Sequence, residues 1–336
     1  MAGTQLTNTF DSYQAVGNRE EIADKIWDTS PEKTPFYSML RKESVKTVHP
    51  EWQTDTLETP DTDNAYVQGA EYTYDALDPT VRVGNYTQIS RKTGMVSRTQ
   101  EKTDKAGRSS EKARYLAKKL KELKIAQEVT LLSNQASSAG SGSTAPRLGG
   151  FPAWLETNAS RGSGGADGGF NSSTGVVDAA TNGTQRALTK TLLDDTLESI
   201  NNNGGSPTMM LCSNYAKRVF STFMSDSNVA AFRTSLSGKK QGTIYGAADM
   251  YISDFGDIMV VPNVQMTRAG ASIARNAYLV EPGKVSLGVF QPTMKDTPAK
   301  TSDAEKFVVL TEYTLLCKNE AHHGVIADLY GMTSSS

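Results

Sequence analysis

Three histidines, His49, His322 and His323, are the only imidazoles in the chain, which restricts any chemistry built on a histidine base. The adjacent pair His322-His323 invites a metal reading, but neighbouring residues on a strand point to opposite faces and do not share one ion. Cys212 and Cys317 match no metal-ligand spacing; they read as buried small hydrophobes of a reduced compartment, not as a disulfide framework. Asp194-Asp195 falls on an expected helix, where successive side chains diverge by about 100°, so the carboxylates do not converge for acid-base work. The glycine-rich runs 140–144 and 162–169 end in no Gly-Lys-Ser/Thr and follow no apolar strand, so they read as flexible surface loops and not phosphate cradles. No Gly-x-Ser-x-Gly elbow occurs with a partnered His and acid. The triplets starting at Asn158, Asn171 and Asn182 match a glycosylation pattern, but with no secretory signal they read as polar loops. The chemistry expected is therefore non-catalytic, with no cofactor or metal.

What remains is surface charge. Between Glu58 and Asp78 the chain carries Glu58, Asp61, Asp63, Glu71, Asp75 and Asp78 and no Lys or Arg. On an expected long helix at 104–134 lie Lys112, Arg114, Lys118, Lys119 and Lys121. Glu111, Glu122 and Glu128 interrupt those cations and no aromatic platform accompanies them, which favours a solvated or intersubunit face over a nucleic-acid face. An acidic segment in one copy set against the cationic helix of another would give orientation and register more than affinity. A hydrolase using the acidic segment is the competing reading, but it lacks a partnered base.

The whole-chain figures agree with a binding role. A net charge of -2 provides no global basic field for holding nucleic acid. No stretch has the length of apolar residues needed to span a bilayer, and the opening residues lack the basic and apolar regions of a signal peptide, so a soluble, membrane-free protein is expected. At 336 residues, two lobes or one lobe with long excursions are expected.

The elements that would position these charges follow from periodicity. Residues 20–28 read as a short helix burying Ile22, Ile26 and Trp27, and Thr34-Pro35 opens a second short turn carrying Phe36, Met39 and Leu40. Residues 46–100 have strand composition without a continuous core pattern. As one hairpin, each arm would reach ~80 Å at full strand rise, or about 40 Å after bends. A globule of this length has a radius of gyration near ~20 Å, so such a hairpin needs a neighbour to cover it. On the long helix, Ala113, Leu116, Ala117, Leu120 and Leu123 form the expected apolar stripe. Leu188, Leu192, Leu193, Leu197 and Ile200 mark a helix stopped by Asn203-Gly204-Gly205. A strand at 208–211 and a helix from Ser213-Asn214 with Tyr215, Val219 and Phe220 follow. Strands are expected at 250–252, 258–261, 277–280, 307–316 and 324–329, the first two joined by a turn at Asp254-Phe255-Gly256-Asp257. The class is α+β.

Local runs add a family. Ser30-Pro31-Glu32-Lys33-Thr34-Pro35-Phe36, the stretch from His49 to Leu57 and Asn85-Tyr86-Thr87-Gln88-Ile89 resemble tailed-phage major capsid proteins of the HK97-like fold, in a branch found in short-tailed phages. So do Ala106-Gly107-Arg108, the stretch from Lys118 to Lys124, the run Glu128 to Gln135 and Gly149-Gly150-Phe151-Pro152-Ala153-Trp154. The resemblance implies an N-arm at 1–45, an E-loop at 46–100 and a peripheral domain with spine helix at 101–140. It further implies an axial domain at 141–249 and returning peripheral strands at 250–336. It implies pentamers and hexamers of this chain enclosing double-stranded DNA in a virion built in the host cytoplasm, with a portal and a separate scaffolding protein. Because the acidic tip has no lysine, covalent cross-linking is not expected; noncovalent overlap or a decoration protein would supply strength. An encapsulin-like compartment shell is the alternative within the same fold.

Overall fold

Arg41–Ser44 (β1) hydrogen-bonds in parallel with a strand more than two hundred residues downstream, so the sheets are assembled from distant parts of the chain. The computed structural model describes residues 30–223 and 250–334, apart from 73, 75, 106 and 108. The remaining described strands are Glu51–Thr54 (β2), Val81–Gly84 (β3), Gln88–Ser97 (β4), Ala159–Ser160 (β5), Gly169–Asn171 (β6) and Val176–Asp178 (β7). They continue with Met209–Cys212 (β8), Met250–Ser253 (β9), Gly256–Pro262 (β10), Ala277–Val280 (β11), Val285–Asp296 (β12), Ala304–Cys317 (β13) and Gly324–Ile326 (β14). The described helices are Pro35–Met39 (α1), Arg98–Lys102 (α2), Glu111–Leu131 (α3), Phe151–Trp154 (α4), Lys190–Asn202 (α5), Asn214–Phe223 (α6), Val264–Ala269 (α7) and Ala271–Ala274 (α8). The helix expected at 20–28 lies outside the described residues.

One sheet runs β1-β12-β13-β4, with α3 against β4 and β13. Leu123, Phe307 and Val309 form a small buried cluster there, with Leu116 against it. Phe307 pairs across the ladder with Gly94, and a Cβ at Gly94 would fall inside its ring. The aromatic thus covers the bare backbone of the edge strand. Gly94→Ala is expected to cost about 1–3 kcal/mol by overpacking, read as a lowered thermal midpoint.

The second sheet runs β5-β14-β11-β8-β10-β9. Leu193, Leu197 and Ile200 of α5 and Phe220 of α6 bury against Met210, Val260, Leu279 and Ile326. The stop of α5 is a Schellman motif: Gly205 N–H donates to Ile200 O, Gly204 N–H to Asn201 O, and Gly204 takes φ +79. This sheet draws strands from both sides of residue 250, so the boundary expected between 249 and 250 does not follow sheet membership: β10 pairs in parallel with β8.

Four further expectations change. The long helix begins at Glu111 and not near 104, because α2 precedes it and Glu101 caps its start. Glu101 accepts from Ser110 Oγ (2.7 Å) and the N–H groups of Glu111 and Lys112 (3.0 and 3.3 Å), and Ser110 Oγ accepts from Ala113 N–H. The apolar stripe has another phase: Ala113, Ala117 and Leu120 are exposed, while Leu123, Gln127, Glu128 and Leu131 are buried. The 46–100 segment is not one long hairpin. Among the described residues of this segment only β2 and β3 pair with each other, four residues each, and β4 leaves to join β13. Between them 55–80 lacks the alternating apolar face that would bury a ladder. The terminal strand likewise stops at Ile326, and Asp328 adopts φ +60.

Candidate assembly interface

The excursion 55–80 stands on a rigid root. Trp52 of β2 stacks on Trp154 of α4 at 5.5 Å, and Trp154 on Phe170 of β6 at 6.1 Å. His49 stacks on Tyr86 at 4.2 Å, and Arg82 Nε lies 3.3 Å from Glu51 Oε1. Below them Asn85, fully buried, donates from Nδ2 to Leu315 O (2.9 Å) and Gly149 O (3.2 Å) and accepts from Gly149 N–H (2.7 Å). One side chain thereby joins the excursion's root, β13 and the loop before α4.

Above the root none of the described residues covers the excursion. Leu57, Tyr72, Tyr74 and Leu77 are 85–99% exposed, with Tyr66 and Val67 beside them. Glu58, Asp61, Asp63, Glu71 and Asp78 are exposed as well; Asp75 lies outside the described residues. A contiguous surface this apolar and this acidic has the character of a docking segment.

Several of the helix cations are already paired within the chain. Lys112 Nζ lies 2.5 Å from Glu305 of β13, Lys119 2.7 Å from Glu122 and Lys121 2.6 Å from Glu32. Lys112 reaches the sheet at Glu305, while Arg114, Lys118 and Lys121, together with Lys119's partner Glu122, line a groove beside α3. Three of the five therefore already have an acidic partner within the chain.

Glu128, which the sequence reading passed over as one acid among the helix charges, is fully buried near the end of α3. Its Oε1 accepts from Phe36 N–H (3.0 Å) and Asn263 Nδ2 (2.6 Å), and its Oε2 from Tyr37 N–H (2.5 Å). It thus satisfies the orphan donors at the start of α1 and fixes residues 35–40 against α3. Burial pushes its carboxyl above the usual range, against the pull of those donors. A Gln-Glu pair in an otherwise apolar final turn was the signal available.

The glycine-rich segment 161–169 is a surface loop, exposed at 163, 164, 166 and 167, but anchored at Gly162, whose N–H donates to Asp328 Oδ2 (2.9 Å), and Asp328 Oδ1 takes Arg275 Nη2 (2.6 Å). A Cβ at Gly162 would collide with Thr184 O. Asp194 accepts from Lys190 Nζ and Tyr251 OH, both at 2.6 Å, while Asp195 is exposed. His322 and His323 close a 3-10 turn, not a strand. His322 Nδ1 meets Glu281 Oε2 at 2.8 Å, whereas buried His323 accepts Glu281 N–H at Nδ1 (3.2 Å). Both cysteines are free and buried, and burial pushes the Cys212 thiol up to about 12. Among the described residues no His/Cys/Asp/Glu group is arranged to hold a metal, and no helix is long and apolar enough to cross a membrane.

Burial pushes His323 down to about 4, so the folded state binds fewer protons than the unfolded chain between pH 6.5 and 4. Stability from this group is therefore present above pH 6.5 and lost as pH falls through that window, by up to about 3 kcal/mol. His323→Asn keeps an acceptor near the Nδ1 position and does not titrate; urea midpoints across that range should fall for the parent relative to the variant. Glu128, raised by burial, acts with the opposite sign, and the paired comparison cancels it.

A solvent-borne excursion rooted beside a long helix on one sheet, with a second helix-covered sheet, defines the HK97-like shell-protein fold. The solved structures agree on that fold at identities that carry nothing more. A chain from Gordonia phage Cozz is similar at a TM-score of 0.58 and 12% identity, over 97% of this chain and 96% of that one. The holo-SrpI encapsulin complex of Synechococcus elongatus gives 0.55 and 10%, over 95% of both chains. An assembly of phage G major capsid and decoration proteins gives 0.51 and 9%, over 97% and 99%. By sequence, the chain belongs to the SU10 major capsid protein family, whose model matches residues 4–330. It is 42% identical over 127 residues to the major capsid protein of Escherichia phage Phieco32; that stretch covers 38% of this chain and 36% of the relative.

Proposed function

We propose that this chain is the repeating shell subunit of a tailed-phage head, closing rings of five and six copies around double-stranded DNA in the host cytoplasm. It works beside a portal and a separate scaffolding protein, with a decoration protein as optional reinforcement and no catalytic step. In this reading residues 46–87 serve as the E-loop, the α3 sheet as the peripheral part and the six-stranded sheet as the axial part. The observation that carries it is the uncovered excursion: a chain that leaves Leu57, Tyr72, Tyr74 and Leu77 in water gains from burying them on another copy. Head-to-tail repetition of that contact closes a ring.

The landing surface must offer apolar area as well as cations, and paired Lys112, Lys119 and Lys121 offer little. The outer face of the four-stranded sheet offers both: Ile89, Met95 and Met294 are exposed there, and the register sets Arg91 and Lys306 among them. Glu71→Lys with Asp75→Lys is expected to slow assembly in low salt and much less in high salt, where exposed charges are screened. Light scattering against time reads this, and salt-independent unchanged kinetics would rule out the electrostatic part. Electron microscopy of the chain expressed with its genomic neighbours tests the whole: DNA-filled heads with a portal support it, shells enclosing an enzyme favour the compartment alternative, and a permanent monomer refutes both.

A further inference from the structure

The four-stranded sheet ends in a strand whose outer backbone has no partner. β4 pairs with β13 over ten consecutive residues without a bulge. In an antiparallel ladder the backbone groups of successive residues turn alternately toward the partner strand and away from it. Two bonds fix the phase here: Arg98 N–H donates to Asp303 O just past the end of the ladder, and Lys318 N–H donates to Lys284 O on the other side of β13. The even residues of β4 therefore face β13, and Ile89, Arg91, Thr93 and Met95 turn their N–H and C=O groups outward. Among the described residues nothing hydrogen-bonds to those groups. Sheets commonly blunt such an edge with a proline, a bulge or a short strand. β4 has none of these, and the exposed Ile89 and Met95 flank its open side.

We propose that a second copy lays residues 63–67 of its excursion along this edge as a fifth strand, joined by main-chain hydrogen bonds. The proposal rests on the head-subunit reading and makes the contact a backbone ladder, not side-chain docking on the sheet face alone. Asp63-Asn64-Ala65-Tyr66-Val67 is exposed throughout and forms no helix or turn. The N–H groups of its last four residues have no partner among the described residues. An unpaired extended run and an unpaired edge supply what each other lacks, which is the basis of strand addition. Charge selects between the candidates for that edge. Residues 55–67 carry Asp55, Glu58, Asp61 and Asp63 and no Lys or Arg, whereas β4 carries Arg91 and Lys92, with Lys306 opposite Met95. A second β4 would bring cations against cations; the acidic run brings the opposite sign.

Hydrogen exchange by mass spectrometry, on free subunits and on assembled particles of the full chain, tests this directly. Amides in 89–95 and in 63–67 should both slow on assembly, by about tenfold for a shared hydrogen bond of ordinary net strength. Proline substitution adds a test of phase. Thr93→Pro removes an outward N–H and is tolerated on an open edge, so the subunit should keep its thermal midpoint but fail to form regular particles. Thr93→Ala, which keeps that N–H, should assemble as the parent does. Lys92→Pro removes an inward N–H and should lower the midpoint of the free subunit. In particles mixed from light and heavy-isotope subunits, carbodiimide cross-links from Lys92 or Lys306 to Asp61 or Asp63 should join different copies. Slowing on β4 without slowing at 63–67 would overturn the proposal by giving the edge another occupant, and cross-links confined to one copy would overturn it as well. Regular particles from Thr93→Pro would overturn the ladder while leaving the head-subunit reading intact. A parent chain that never assembles would sink both.

Discussion

Glu128→Ala is expected to destabilise the folded subunit by about 4–5 kcal/mol, the largest effect of any single substitution considered. The cost is not the loss of an ion pair. Three donors, the N–H groups of Phe36 and Tyr37 and the Asn263 amide, converge on this buried carboxylate, and an unsatisfied buried donor costs about 1–3 kcal/mol each. Phe36, in contact with Phe151 at 5.2 Å between ring centroids, would then be held by packing alone. Glu128→Gln is the sharper probe, since it preserves shape but turns one oxygen into a donor facing other donors. It should fall short of the parent by a smaller margin. Urea unfolding followed by tryptophan emission measures both, and variants as stable as the parent would show that residues 35–40 are not fixed through Glu128.

Asn85→Ala is expected to cost about 3–4 kcal/mol, because Gly149 N–H and the Leu315 and Gly149 carbonyls would lose their partner in a place water does not enter. The effect should be felt at a distance as well. With the root loosened, β2 and β3 lose one tie to β13 and the loop before α4, and their short ladder, the Trp52–Trp154 and His49–Tyr86 stacks and the Thr87–Glu312 bond carry the direction of the excursion. A subunit that folds but presents the excursion at varying angles should assemble into irregular particles even after its stability is restored by lower temperature. Native mass spectrometry and negative-stain images would separate the two contributions; regular particles at reduced stability would confine Asn85 to a structural role.

How far the sequence revealed this follows from the range of each interaction. The α5 stop, β8, α6 and the β9–β10 turn were legible because their determinants are local: a Schellman glycine pair, a short apolar run, and a two-residue turn, Asp254-Phe255, followed by Gly256 at φ +136. The strand β12 was missed because bulges between Val289, Gln291 and Met294, around Pro292, break the alternation that identifies strands. The start of α3 was misplaced because its cap, Glu101, comes from another helix ten residues upstream in the ladder of contacts. The cations of α3 were read from spacing alone, and spacing does not show that Glu305 and Glu32 come from distant segments to neutralise Lys112 and Lys121. Asn85 and Asp328 gave no sequence signal: a buried polar side chain is recognised by its partners, and those are set by topology. Strand composition over 46–100 overstated the paired length, because β2 and β3 pair over four residues each.

The six-stranded sheet also has a consequence in time. Its edge strand β5 has one partner, β14, and the two lie at opposite ends of the lobe's sequence. A ribosome adding about 5–20 residues per second needs on the order of ten to thirty seconds to supply the second after the first. Until then β11 has an open side where β14 will insert, and the lobe cannot finish. Completion waits on the synthesis of β14, so the lobe becomes competent only after the ribosome has passed residue 326. Truncated or stalled chains would thus carry an unfinished sheet, and they would be poorly shaped to enter and poison a growing lattice.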